Sequence, residues 1–148
     1  MTERAIARIV IASDHAGFTL KTHLAEHIRA RGLPVEDLGP SDETSCDYSD
    51  FAHRVAERVA ADAGTAGVLV CGTGIGMSMA ANRHEGVRAA LCSEPYSARM
   101  SREHNDANVL CVGARVIGVA LAEAVVDAFL EGAFEGGRHV RRVAKIEP

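Results

Sequence analysis

Apolar positions along this chain come in short blocks that alternate between two spacings. Residues 6–12 form an apolar run broken only by Arg8, the pattern of a strand covered on both faces. From 18 to 31 the spacing widens to the helical period: Leu20, Leu24 and Ile28 share one stripe, and Gly32 stops it. Residues 35–38 predict a short second strand, and 39–47, with Pro40, a polar loop. Phe51, Val55 and Val59 put an inward face on a helix over 48–63. Residues 68–71 are a third strand, 75–83 the helix after it, and 87–91 a fourth strand. A helix over 94–103 carries Pro95 in its first turn, where proline is tolerated. Residues 109–112 make the fifth strand and 119–131 the next helix. Gly136-Gly137 interrupts the chain before a basic segment, 138–146, expected to be helical.

Five strands alternating with helices predict an α/β fold. The expected architecture is a doubly wound five-stranded parallel sheet, Rossmann-like or flavodoxin-like in three α/β/α layers, with a C-terminal helical tail. One domain over 1–148 is expected. Ligands of such sheets bind at the carboxyl ends of the strands. Those positions are Ser13-Asp14-His15, Cys71-Gly72-Thr73, Cys92-Ser93 and Gly113-Ala114-Arg115, so reactive groups follow the first and third strands and a cation the fifth.

Composition narrows the classes. The chain has 148 residues, 47% hydrophobic and 4% aromatic, enough small apolar side chains for tightly packed layers. A formal net charge of −4 gives no field that would attract nucleic acid or an anionic membrane. No apolar run reaches the roughly 20 residues of a membrane span, and Met1-Thr-Glu-Arg-Ala5 has no leader-type apolar core. A soluble, cytoplasmic protein is expected. Cys46, Cys71, Cys92 and Cys111 form no C-x-x-C pair, and free thiols are expected.

The densest chemistry is Cys71-Gly-Thr-Gly-Ile-Gly76, where a strand runs into a helix start. Glycines there let an anion approach bare amides, and the positive helix end attracts negative charge, so Cys71 is a candidate base or nucleophile. The alternative is a buried strand-end thiol. A dinucleotide fingerprint fails because its closing position is Met77 or Met79, and a P-loop fails for lack of Gly-Lys-Ser/Thr. A small-oxyanion cradle remains, with Thr73 adding a hydroxyl.

Asp14 and His15 could orient a polyol and hold an anion; Asp14 could equally cap a helix. His104 and Asn105 fall in the connection before the fifth strand, as a candidate acid–base group or as a helix C-cap with Asn105 left-handed. Arg138 and Arg142 lie four apart on one helical face and could clamp an anion, or form a solvated tail; Arg115 would add a third cation. His23-Leu-Ala-Glu26-His27 matches a zinc-peptidase pattern but has no evident third ligand. His53 and His84 read as surface positions, and Cys46 has no assigned role.

Taken together, seven short motifs in one order resemble the ribose-5-phosphate isomerase B family, which includes galactose-6-phosphate and allose-6-phosphate isomerases. They are Ser13-Asp-His-Ala-Gly17, Asp47-Tyr48, Cys71-Gly-Thr-Gly-Ile-Gly76, Cys92-Ser-Glu-Pro-Tyr-Ser97, His104-Asn-Asp-Ala-Asn108, Gly113-Ala-Arg115 and Glu135-Gly-Gly-Arg-His139. The resemblance implies a metal-free, cofactor-free aldose–ketose isomerisation of a phosphorylated sugar through a cis-enediolate. It makes Cys71 the base, and Gly72, Thr73, Gly74, Ile75 and Gly76 the oxyanion cradle. It makes His104, helped by Asp14, the ring-opening group. His15, Arg138 and Arg142 would hold the phosphate, Arg115 and Asn105 would line the site, and Tyr48 would cover it. It also implies a homodimer or dimer of dimers with shared active sites, segment 136–148 docking on the partner. Ribose 5-phosphate is the first expectation for substrate. Allose 6-phosphate, galactose 6-phosphate or a tetrulose phosphate is the alternative, and a non-catalytic module binding a phosphorylated ligand is a further one.

Overall fold

The computed structural model describes residues 5–148; the first four residues, most of the stretch read above for a leader, lie outside the described residues. The strands are β1 (Arg8–Ser13), β2 (Val35–Asp37), β3 (Thr65–Cys71), β4 (Ala89–Leu91) and β5 (Val109–Gly113). The helices are α1 (Phe18–Ala30), α2 (Tyr48–Ala61), α3 (Ile75–Ala81), α4 (Pro95–Asn105), α5 (Val119–Glu131) and α6 (Arg138–Ala144). Every strand pair is parallel, in the order β2-β1-β3-β5-β4. The expected doubly wound α/β fold is therefore present. The flavodoxin order would be 2-1-3-4-5. Here the last two strands are exchanged, which sets β5 beside β3 and leaves β4 at the edge.

Alternation along the strands divides the core into two layers. Ile9, Ile11, Val68, Val70, Leu110 and Val112 face α1, α4 and α5. Val10, Ala12, Leu69, Cys71, Val109 and Cys111 face α2 and α3. β3 starts at Thr65, three residues before the expected start at 68, because Thr65, Ala66 and Gly67 pair with Arg8, Ile9 and Val10. α2 stops two residues early. Asp62 accepts from the Gly64 N–H and the Thr65 hydroxyl, turning the chain into β3.

Gly17 allows α1 to pass close to the sheet: a β-carbon there would stand 2.4 Å from the Val70 carbonyl oxygen. Gly17→Ala is expected to cost about 3 kcal/mol by overpacking, seen as a lower denaturant midpoint at unchanged slope. Lys21 is fully buried beneath the 39–47 loop, donating to Asp37 Oδ1 at 3.1 Å and to the Pro40 carbonyl at 2.5 Å.

The zinc-type pattern on α1 is used for helix pairing instead. His23 meets Glu123 at 3.0 Å, His27 meets Asp127 at 2.7 Å, and Arg31 reaches Asp127 at 3.0 Å. Each histidine thus faces a carboxylate of α5 across the α1–α5 seam. His53 and His84 are half-buried and joined, ring nitrogen to ring nitrogen, at 2.7 Å, which corrects their reading as surface residues. No described helix is long and apolar enough to cross a membrane.

Candidate active site

Parallel pairing brings the ends of β1, β3 and β5 together, with Ser13 opposite Val70 and Cys71 opposite Gly113. Cys71 is 4% exposed. Its Sγ accepts the Gly74 N–H at 3.1 Å, and its carbonyl accepts the Ala114 N–H at 2.8 Å. Gly74 adopts φ +80°, and a β-carbon there would strike Leu91 Cδ1 at 2.5 Å, so only glycine makes this turn without strain. Thr73 Oγ1 accepts the Ile75 N–H at 3.2 Å, which leaves the hydroxyl proton free to donate outward. Two of the expected oxyanion donors, the Gly74 and Ile75 amides, are thus already engaged. The amides of Gly72, Thr73 and Gly76 have no protein acceptor among the described residues.

The other groups of this edge frame the loop. Asp14 is buried, and its Oδ1 accepts the Gly17 N–H at 3.0 Å; the cap position of α1 is Gly17 itself, not Asp14. His15 Nδ1 accepts the Cys46 N–H at 3.2 Å, which puts the proton of the neutral ring on Nε2. Tyr48 begins α2 and lies on Gly76: a β-carbon there would stand 2.5 Å from the tyrosine ring. The Arg115 side chain crosses Gly72, with Nη1 3.5 Å from where a β-carbon would be. Thr73, Ile75 and Arg115 are exposed.

His104, Asn105, Arg138 and Arg142 do not join this group. Helices in a parallel α/β sheet run back against the strands, so α4 leaves the carboxyl edge at Pro95 and delivers His104 and Asn105 to the amino edge. The Arg88 Nε–H on the Asp106 carbonyl (2.7 Å) fixes the end of α4 beside the start of β4. The Glu135 N–H on the Glu103 carbonyl (3.0 Å) brings the 135–142 segment to the same edge. Eleven residues of α4 span about 16 Å at 1.5 Å each. On one chain the two groups therefore stand at opposite edges, roughly 15 Å apart by helix and strand rise.

His104 and Asn105 belong to the last turn of α4 rather than to the connection, and the left-handed C-cap is Asp106 (φ 49°), not Asn105. Arg138 and Arg142 are exposed on α6 and reach no carboxylate among the described residues; His139 and Val143, on the opposite stripe, are buried. The His104 ring stacks on His139, centroids 4.4 Å apart and planes 14° from parallel. The same amino edge holds a cavity of about 480 Å³ lined by Val59, Thr65, Arg88, Arg102 and Asn108, away from the Cys71 group.

Two contributors were not assigned from sequence. Cys46 acts through its main chain, which no side-chain pattern reveals. His139 was legible in principle, since a helical period over 138–144 sets His139 and Val143 on the face opposite the arginines.

Thiol, carboxylate, imidazole and free guanidinium groups at strand and helix ends are the equipment of acid–base chemistry on an anionic substrate. Comparison with known proteins agrees in kind. Residues 9–146 match the Ribose/Galactose Isomerase family. The ribose-5-phosphate isomerase B of Escherichia coli (strain K12) is 48% identical over 94% of this chain and 93% of its own. The solved ribose 5-phosphate isomerase of Thermotoga maritima is 48% identical, with a TM-score of 0.92 over 95% of this chain and 97% of that one. The Mycoplasma genitalium ribose-5-phosphate isomerase B, solved with bound ribulose 5-phosphate, is 45% identical, with a TM-score of 0.91 over 94% and 93%. The chain belongs to the ribose/galactose isomerase family, and it is an isomerase.

Proposed function

We propose that this isomerase interconverts ribose 5-phosphate and ribulose 5-phosphate through a cis-enediolate, using its own acid–base groups and no metal ion. Cys71 takes the proton from C2 of the open-chain aldose and returns it at C1. The unengaged amides of Gly72, Thr73 and Gly76, with the Thr73 hydroxyl, receive the oxyanion that develops. His104, with Asp14, opens the furanose ring. The phosphate lies between His15 Nε2–H, Arg138 and Arg142, beside Arg115 and Asn105, and Tyr48 closes over the sugar.

The observation that carries this reading is the β3–α3 turn. A thiol held by the Gly74 N–H at 3.1 Å lies under a loop with unpaired amides, with a carboxylate and an imidazole on the neighbouring strand end. The substrates named for its relatives point the same way. The working unit is a symmetric dimer in which the His104 group of one protomer completes the Cys71 group of its partner. Their separation on a single chain supports this. So do Ile75, Met79 and Leu91, apolar side chains 46%, 66% and 43% exposed beside the loop.

The test is turnover of ribose 5-phosphate by purified protein in EDTA. Turnover is expected; none with ribose 5-phosphate but turnover of a six- or four-carbon sugar phosphate would replace the substrate and keep the chemistry. Absence of turnover with every sugar phosphate would sink the reading in favour of a binding module. Losing the two α6 guanidiniums should cost binding far more than chemistry. Arg138→Ala with Arg142→Ala is expected to raise KM by about a hundredfold or more, two charge-assisted contacts at about 1.5–3 kcal/mol each being at stake. An unchanged KM would make α6 a solvated tail.

A further inference from the structure

The imidazole facing His104 is unused in that mechanism and oddly placed. His139 is 6% exposed, yet its ring nitrogens bond to no protein group among the described residues. It lies flat against His104, and Glu135 Oε1 stands 3.7 Å from His104 Nε2. We propose that His139 is a positioning residue for His104, a neutral ring plate against which the acid–base imidazole is held. The proposal rests on the assignment of His104 made above.

Three observations support it. Near-parallel rings at this spacing fix the orientation of the more exposed one, and His104 has no other ring or hydrogen-bonding partner among the described residues apart from the Glu135 carboxylate. Two imidazolium ions stacked this closely would repel, so the plate has to stay uncharged while its neighbour exchanges protons. The surroundings keep His139 that way. Burial, then His104, then Arg138 lower its affinity for a proton; Glu135 opposes them and Arg142 adds to them. The other charged groups at this end of α4 are Glu103, paired with Arg99 at 3.5 Å, Asp106, paired with Arg88 at 3.3 Å, and Arg102.

A shared divalent ion is the competing reading, since His104, Glu135 and His139 offer ligand atoms within 4.8 Å of one another. A ring nitrogen binds a metal in the plane of its ring, and near-parallel planes do not meet at one ion. Arg138 and Arg142 also add positive charge there.

The experiment compares His139→Ala and His139→Phe in kinetics and in the ring resonances of His104. His139→Ala should lower kcat on ribose 5-phosphate about tenfold, as for a misplaced acid–base group, with KM changed less than about twofold. His139→Phe keeps a flat ring and should recover most of kcat, with an acid limb of the pH profile one proton less steep. The ring-current shift of His104 should persist in the Phe variant and vanish in the Ala variant. Equal damage by both variants, or wild-type kcat and His104 resonances in the Ala variant, would overturn the proposal. EDTA should leave the wild-type resonances unmoved; movement would favour the metal reading. If His104→Asn proves fully active, the acid–base assignment fails, while the ring-current test still decides whether His139 holds His104. If the Ala variant does not fold, the wild-type titration decides, because stacked rings must report each other's protonation.

Discussion

Cys71→Ser is expected to fold as the parent does and to turn over ribose 5-phosphate about a thousandfold more slowly, the scale of a lost general base. The serine hydroxyl can accept the same Gly74 N–H, so the turn keeps its hydrogen bond and stability should change by less than about 1 kcal/mol. On the proposed mechanism what is lost is the base, because an alcohol gives up its proton far less readily than a thiol. The buried cysteines provide the control. Burial drives the Cys111 thiol well above its ordinary range, and burial with the nearby Glu94 carboxylate raises Cys92 to about 11. Neither can substitute as base near neutral pH, and Cys111→Ala should turn over at close to the parental rate. A fully active Cys71→Ser protein would remove Cys71 from the mechanism. The measurement is kcat for each variant beside a thermal melt.

What the sequence reveals follows how local each feature is. The central strands β1, β3 and β5 are legible because burial on both faces imposes near-continuous apolar runs, and amphipathic packing imposes the period of Leu20, Leu24 and Ile28. The carboxyl-edge group is legible for a related reason: Asp14 follows β1, Cys71 ends β3 and Arg115 lies two residues past β5, and the fold puts strand ends together. Strand order is not legible. Nothing in the short runs 87–91 and 109–112 says which stands at the edge, yet that order places Arg115 over Gly72. Pairings between side chains far apart in sequence are equally hidden. His23 and His27 look like ligands until α5 presents Glu123 and Asp127. His53 and His84 look solvated until α2 meets the turn after α3. The distance between His104 and Cys71 emerges only when α4 is known to run back along the whole sheet.

That distance gives the most discriminating prediction, a rescue rather than a loss. Cys71→Ala and His104→Asn, each purified alone, should both be nearly inactive on ribose 5-phosphate. Mixed, unfolded and refolded together, they should regain activity. If each site takes its thiol from one protomer and its imidazole from the other, a mixed dimer holds one site with both substitutions and one with neither. Random pairing of equal amounts makes half the dimers mixed, so about a quarter of the wild-type turnover should return. Sites built within single chains would restore nothing, because every chain lacks one group. Recovery should also follow dilution, falling as mixed dimers dissociate. Two inactive proteins that stay inactive in a mixture shown to exchange subunits would refute the shared site. The roughly 15 Å between the groups on one chain, set by helix and strand rise, would then have to be closed by a rearrangement of α4.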